Sequence, residues 1–116
     1  MSPLSSRYQV SLADAMAKLP GLNGARFAAV LTHGSLLVEI YAPRGRDTQT
    51  QHTRDELYLI VDGNGILYVN GRRSHFRPGD ILFVPAGIDH RFENFSDDLV
   101  VWVVFYGPEG GEAGLY

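Results

Sequence analysis

The 116-residue chain contains no cysteine. Disulfide frameworks, thiolate zinc sites and cysteine nucleophiles are therefore excluded, and a metal would have to be held by histidine, carboxylate, amide, hydroxyl or water. Lysine is almost missing as well. Of the ten cationic side chains nine are Arg and one is Lys18, only Arg72 and Arg73 are adjacent, and the net charge is -3. With no basic stripe to track phosphates, nucleic-acid binding is not expected. Long hydrophobic runs are also lacking: Leu99 to Tyr106 is the longest, far short of the roughly 20 residues of a helical membrane span. The opening "MSPLSSRYQV" has no apolar stretch of the secretory kind, so a cytoplasmic protein without a membrane partner is expected. No P-loop and no Gly-x-Ser-x-Gly elbow occurs, and "GNGILYVNG" lacks the strand-to-helix context of a dinucleotide loop.

Apolar residues make up 45% of the chain and charged residues 20%, an ordinary globular balance for one domain. "SLADAMAKL", Ser11 to Leu19, reads as the one helix. Ser11 can cap it, Leu12, Ala15, Met16 and Leu19 share a face, and Pro20-Gly21 stops it. After it, strand-like runs alternate with turns. They cover Ala25 to Leu31, Ser35 to Tyr41, Glu56 to Val61, Ile66 to Asn70, Ile81 to Val84, Arg91 to Phe95 and Leu99 to Tyr106. "DGNG" and Asn70-Gly71 are hairpin signals, and "RPGD" suits a turn with Gly79 in the left-handed position. About eight short strands at this spacing predict an all-β sandwich or jelly-roll barrel with a short N-terminal helix. The expected divisions are an N-terminal segment at 1–24, a barrel at 25–106 and a flexible Gly-rich tail at 107–116.

Two stretches carry chemistry-bearing residues. In "QHTRDELYLIVDGNG", Thr50, His52, Glu56, Tyr58 and Ile60 share strand parity if the tip between them adds no bulge. In "GDILFVPAGIDHRFEN", turn residues frame a short apolar strand, and His90 opens the next one. Taken singly, His52 with Glu56 reads as a surface pair and His90 as a loop residue near a strand end. Tyr58 shares parity with Glu56 and is the candidate general acid. Tyr58, Tyr68 and Trp102 would line an aromatic pocket if they face inward. Glu39, His33, His75 and Arg91 are expected at the surface, and Arg54-Asp55 as a tip ion pair or solvated loop.

Together the two stretches resemble the cupin superfamily. Its first motif is a Gly, His-x-His, three or four residues, Glu, six residues and Gly. Here Gly45 leads in, Thr50 stands at the first His position, and His52, Glu56 and Gly63 follow at the family spacing. Its second motif, Gly-x5-Pro-x-Gly-x2-His-x3-Asn, is filled at every fixed position by Gly79, Pro85, Gly87, His90 and Asn94. Fifteen residues, Asn64 to Pro78, separate the motifs, as in a compact single-domain cupin.

The resemblance implies a divalent metal (Fe, Zn, Mn or Ni) held by His52, Glu56 and His90, a facial set that leaves coordination positions open. Thr50 departs from the pattern and is a poor ligand. Gln49 or Gln51 would complete the set only if a bulge turned it inward. The resemblance also implies a homodimer with a small-molecule ligand. Three functional readings follow: metal-dependent chemistry of the dioxygenase, isomerase or lyase kind on a sugar-like or oxo-acid substrate, non-catalytic binding of a small ligand or sugar, and a metal-free structural barrel.

Overall fold

Between its Gly- and Pro-bearing turns the chain is rich in β-branched and aromatic residues, and these segments pair into two antiparallel sheets. The computed structural model describes residues 8–113. The strands are β1 (Phe27–His33), β2 (Leu36–Tyr41), β3 (Asp55–Asp62), β4 (Gly65–Val69), β5 (Arg72–Phe76), β6 (Ile81–Val84), β7 (His90–Glu93) and β8 (Val100–Tyr106). A five-stranded sheet runs β1-β2-β8-β3-β6, and a three-stranded sheet runs β5-β4-β7. This is the expected all-β jelly roll.

One turn differs from the sequence reading. "DGNG" does not close a hairpin, because β3 pairs with β6 and β8 whereas β4 pairs with β5 and β7. The chain here crosses from one sheet to the other. Its glycines serve close approach: a Cβ on Gly63 would lie 2.6 Å from Leu99 Cα, and one on Gly65 would lie 2.8 Å from Phe95 Cβ. Asn70-Gly71 is a true hairpin, with positive φ at both residues and Val69 opposite Arg72. "RPGD" also turns as expected. Asp80 N donates to Arg77 O at 3.2 Å, Arg77 N donates to Asp80 Oδ2 at 3.0 Å, and Gly79 has φ 92°.

The last strand is apolar throughout because both of its faces are covered. Val101, Val103 and Phe105 point between the sheets with Tyr41, Tyr58, Ile60, Leu67 and Phe92. Val100 and Trp102 lie in a second cluster, with Ala15, Ile40, Ala42 and the partly buried Met16 and Leu19. The helix α1 (Leu12–Met16) contributes to that outer cluster. It is shorter than Ser11–Leu19, because Lys18 and Leu19 bond three residues back, to Ala15 O and Met16 O, and tighten the turn. Ser11 Oγ caps it by accepting from Asp14 N at 3.0 Å, and Leu12 is exposed, not part of the buried face.

The described part of the glycine-rich tail, residues 107–113, bonds back onto the body. Gly107 N donates to Ser35 Oγ at 3.2 Å, Gly110 N to Thr53 O at 2.7 Å and Glu112 N to Asp55 Oδ2 at 2.8 Å. Among the described residues no helix is long and apolar enough to cross a membrane.

Gly63→Ala combines a positive φ with a backbone clash, so chemical denaturation should show a loss of about 2 kcal/mol or more. A change below about 0.5 kcal/mol would contradict the close approach.

Candidate metal centre

Three titratable side chains converge between the sheets. Glu56 sits on β3 opposite Phe105 and Val84, with Tyr58 and Ile60 on the same inward face, and is fully buried. His90 opens β7 in the other sheet and is 4% exposed. His52 comes from the irregular stretch before β3, not from a strand, so parity did not place it. Its ring instead meets Phe105 edge-on at 4.8 Å and lies 5.6 Å from the His90 ring. One ligand atom from each of His52, Glu56 and His90 lies within 4.8 Å of the others.

The glycine and proline positions of the second stretch explain how the two motifs meet. Gly87, at φ 75°, donates its N–H to His52 O at 2.7 Å, and Ala86 N donates to Asp55 Oδ1 at 2.9 Å. The Pro85-Ala86-Gly87 turn is thus docked on the loop that carries His52. Asp55 is therefore a buried turn anchor and not half of a tip ion pair, while Arg54 donates to Ser35 O. Asn94 follows β7 at φ 48°, a conformation Asn tolerates better than most residues.

Asp47 went unnoticed in the sequence because it lies outside any periodic segment. Its carboxylate accepts from Tyr41 OH, from Gln49 N at 3.1 Å, from Gln49 Nε2 at 2.7 Å and from Phe92 N at 2.8 Å. It joins the His52 loop to β2 and to β7, two residues from His90. Gln49, expected by parity to point outward, is half-buried: its Oε1 accepts from Tyr58 OH at 3.1 Å. Thr50 and Gln51 are exposed.

The electrostatics of the convergence are unusual. His90 Nδ1 lies 2.8 Å from Ile88 O, which can only accept, so Nδ1 carries the proton. In the neutral ring Nε2 then presents a lone pair 3.0 Å from Glu56 Oε1. Among the described residues, Glu56 Oε1, Glu56 Oε2 and His90 Nε2 have no aligned hydrogen-bond partner. Two acceptors facing each other in a dry interior require a positive group between them, a proton or a cation. His52 Nε2 lies 4.0 Å from the same Glu56 oxygen. Burial lowers the His52 pKa against the pull of Glu56. For His90 burial again opposes the charged ring, but the Glu56 carboxylate and the Ile88 carbonyl outweigh it, and the pKa is raised. The residues present fit a divalent ion, with two imidazoles and one carboxylate as donors.

A cavity of about 450 Å³ lies alongside, with Leu37, Val103 and Phe105 as apolar walls and Gln49, Thr50 and His52 among its polar groups. Glu39, expected at the surface, lines it too. The aromatic lining is not the expected one. Tyr68 is on the small sheet, stacked under Arg73 and Arg91 at 4.8 and 4.2 Å, and Trp102 packs in the outer cluster. Tyr58 is fully buried, and burial first, then Glu56 and Asp47, raise its pKa well above the usual phenol value. His33 and His75 are exposed, as expected.

A family model described as a cupin domain matches residues 37–106. An uncharacterised protein of Streptomyces coelicolor is 34% identical over 89 residues, covering 75% of this chain and 85% of its own length. The acireductone dioxygenase of Bacillus subtilis is 40% identical over 65 residues, 51% of this chain, but the chain spans only 36% of that protein. A cupin 2 conserved barrel domain protein from Salinispora arenicola superposes with a TM-score of 0.66 at 21% identity, covering 85% of this chain and 88% of that one.

Asp47→Ala removes the acceptor of four hydrogen bonds and should cost about 1–3 kcal/mol in chemical denaturation, because Phe92 N and the Gln49 amide are left unpaired. In metal-free protein, an NMR titration of the imidazoles should show His90 taking up its proton at a higher pH than an ordinary histidine and His52 at a lower one. A shared ordinary midpoint would contradict the burial and pairing described.

Proposed function

The chain belongs to the cupin domain family, and from that premise we propose that it is a metal-dependent enzyme acting on a small molecule. The observation that carries this reading is the buried Glu56–His90 pair, with its unpartnered atoms, meeting His52 beside a cavity. In this reading His52 Nε2, Glu56 and His90 Nε2 hold one divalent ion. Its chemistry is to polarise a chelated hydroxyl or carbonyl oxygen, or to bring O₂ beside it.

The chain's own residues do the rest. The Nδ1–H bond to Ile88 fixes the His90 tautomer, so that Nε2 is the available donor. Phe105 holds the His52 ring by its edge contact and, with Val103 and Leu37, keeps water from one side of the cavity. Gln49 reaches the cavity with its amide set by Asp47 on one side and Tyr58 on the other. Tyr58 stays protonated and donates to Gln49, so this proposal gives it a positioning part, orienting the Gln49 amide, in place of the general-acid part expected from its parity with Glu56. The match to acireductone dioxygenases supports oxygenase chemistry on a hydroxy-oxo substrate ahead of isomerisation or a lyase step. A small-molecule ligand and a homodimer belong to the same proposal.

Protein purified without added metal or chelator should carry about one divalent ion per chain. His52→Ala, His90→Ala and Glu56→Gln should each weaken Mn(II) binding by at least about a hundredfold. Ion binding that survives all three changes, or wild-type protein that takes up no divalent ion, would refute the assignment. Metal-dependent O₂ uptake with hydroxy-oxo compounds would select the oxygenase reading, and tight ligand binding without turnover would select a binding module.

A further inference from the structure

A second carboxylate in the cavity has no counterpart in either motif. Glu39 interrupts the apolar strand β2, between Ala29 of β1 and Val103 of β8. It shares the inward parity of Leu37 and Tyr41, and neither strand neighbour offers a counter-charge. Among the described residues no hydrogen bond or ion pair reaches it, and burial, followed by the Glu56 charge, works against its ionised form. Arg54 lines the same cavity, with its Nη1 donating to Ser35 O, and among the described residues it forms no ion pair with Glu39. A half-buried carboxylate on a cavity wall is solvated by water while the cavity is open, and a ligand that displaces that water must donate to it in turn.

We infer that Glu39 is the specificity residue of the cavity, and that it accepts a hydrogen bond from a hydroxyl of a polyhydroxylated substrate whose other end chelates the ion at His52, Glu56 and His90. The inference rests on the metal-centre reading and deepens it. The chemical class is a 2-hydroxy acid or 2-hydroxy-oxo compound bearing further hydroxyls along its chain. One end offers two oxygens to the ion, and the other offers a donor to Glu39. Leu37, Val103 and Phe105 would cover the carbon skeleton, Thr48, Thr50 and Thr53 offer neutral hydroxyls, and Glu39 is the one carboxylate of the lining among the described residues. A site built this way discriminates against the analogue lacking the hydroxyl, because that analogue leaves a carboxylate desolvated and unpaired.

The test uses the Mn(II)-loaded 116-residue protein and water-proton relaxation to read displacement by lactate, glycerate and erythronate. These share one chelating 2-hydroxy acid head and differ in added hydroxyls. Wild-type protein should bind glycerate or erythronate at least about tenfold more tightly than lactate, since a hydrogen bond to a charged acceptor is of that size. Glu39→Ala should abolish the gain while keeping Mn(II) and lactate binding, and Glu39→Gln, a neutral acceptor, should keep part of it. Thermal unfolding of both variants checks that the fold is intact, as expected for a side chain with no partner among the described residues. Equal affinity for the three acids, a gain that survives Glu39→Ala, or no binding of any of them to Mn(II)-loaded protein would overturn the role of Glu39 and leave the metal centre standing. Failure of wild-type protein to take up Mn(II) would instead overturn the metal centre and the inference with it.

Discussion

The loop that carries His52 belongs to no β-ladder, and four hydrogen bonds ending on the Asp47 carboxylate do the work a ladder would do. They tie the loop to Tyr41 on β2, to its own Gln49 and to the Phe92 amide on β7. The same stretch is gripped from the other side, where Gly87 donates to His52 O. Irregular backbone can hold a side chain to a fraction of an ångström only when its polar groups are satisfied like those of a strand. Here the satisfaction comes from one acid and one left-handed glycine, and through them the two histidines keep a common reference frame.

The second constraint is electrostatic. Glu56 lies among Phe105, Val84 and Tyr58, and among the described residues neither of its oxygens is aligned to a donor. Such an arrangement is unfavourable in a metal-free apolar interior and favourable around a cation, so stability and ion affinity make opposite demands on this position. Proteins retain that kind of conflict where the unsatisfied group has work to do.

Much of this was legible in the sequence, for identifiable reasons. The convergence of His52, Glu56 and His90 was read through the resemblance to the cupin motifs, and the turns that those motifs fix did form: Gly79 and Gly87 have the positive φ their places demand. The inward parity of Glu56, Tyr58 and Ile60 also held. The failures share a cause. β2 is covered on both faces, by the inter-sheet core at Tyr41 and by the outer cluster at Ile40, so alternation could not say which way Glu39 points. "DGNG" has the composition of a two-residue hairpin, yet its glycines answer to Leu99 and Phe95, residues far along the chain. Asp47 and Gln49 act through side-chain bonds in a stretch with no period, where pattern reading has nothing to measure.

The division of the donors between the sheets has a further consequence. Glu56 rises from the five-stranded sheet and His90 from the three-stranded one, and β3 and β7 share no backbone ladder. An ion coordinated by both would act as a rivet across the seam of the sandwich, and its loss would loosen the two halves where no interstrand pairing holds them. Preparations differing only in ion content would then differ in rigidity, and the breathing of the sandwich would report on its cargo.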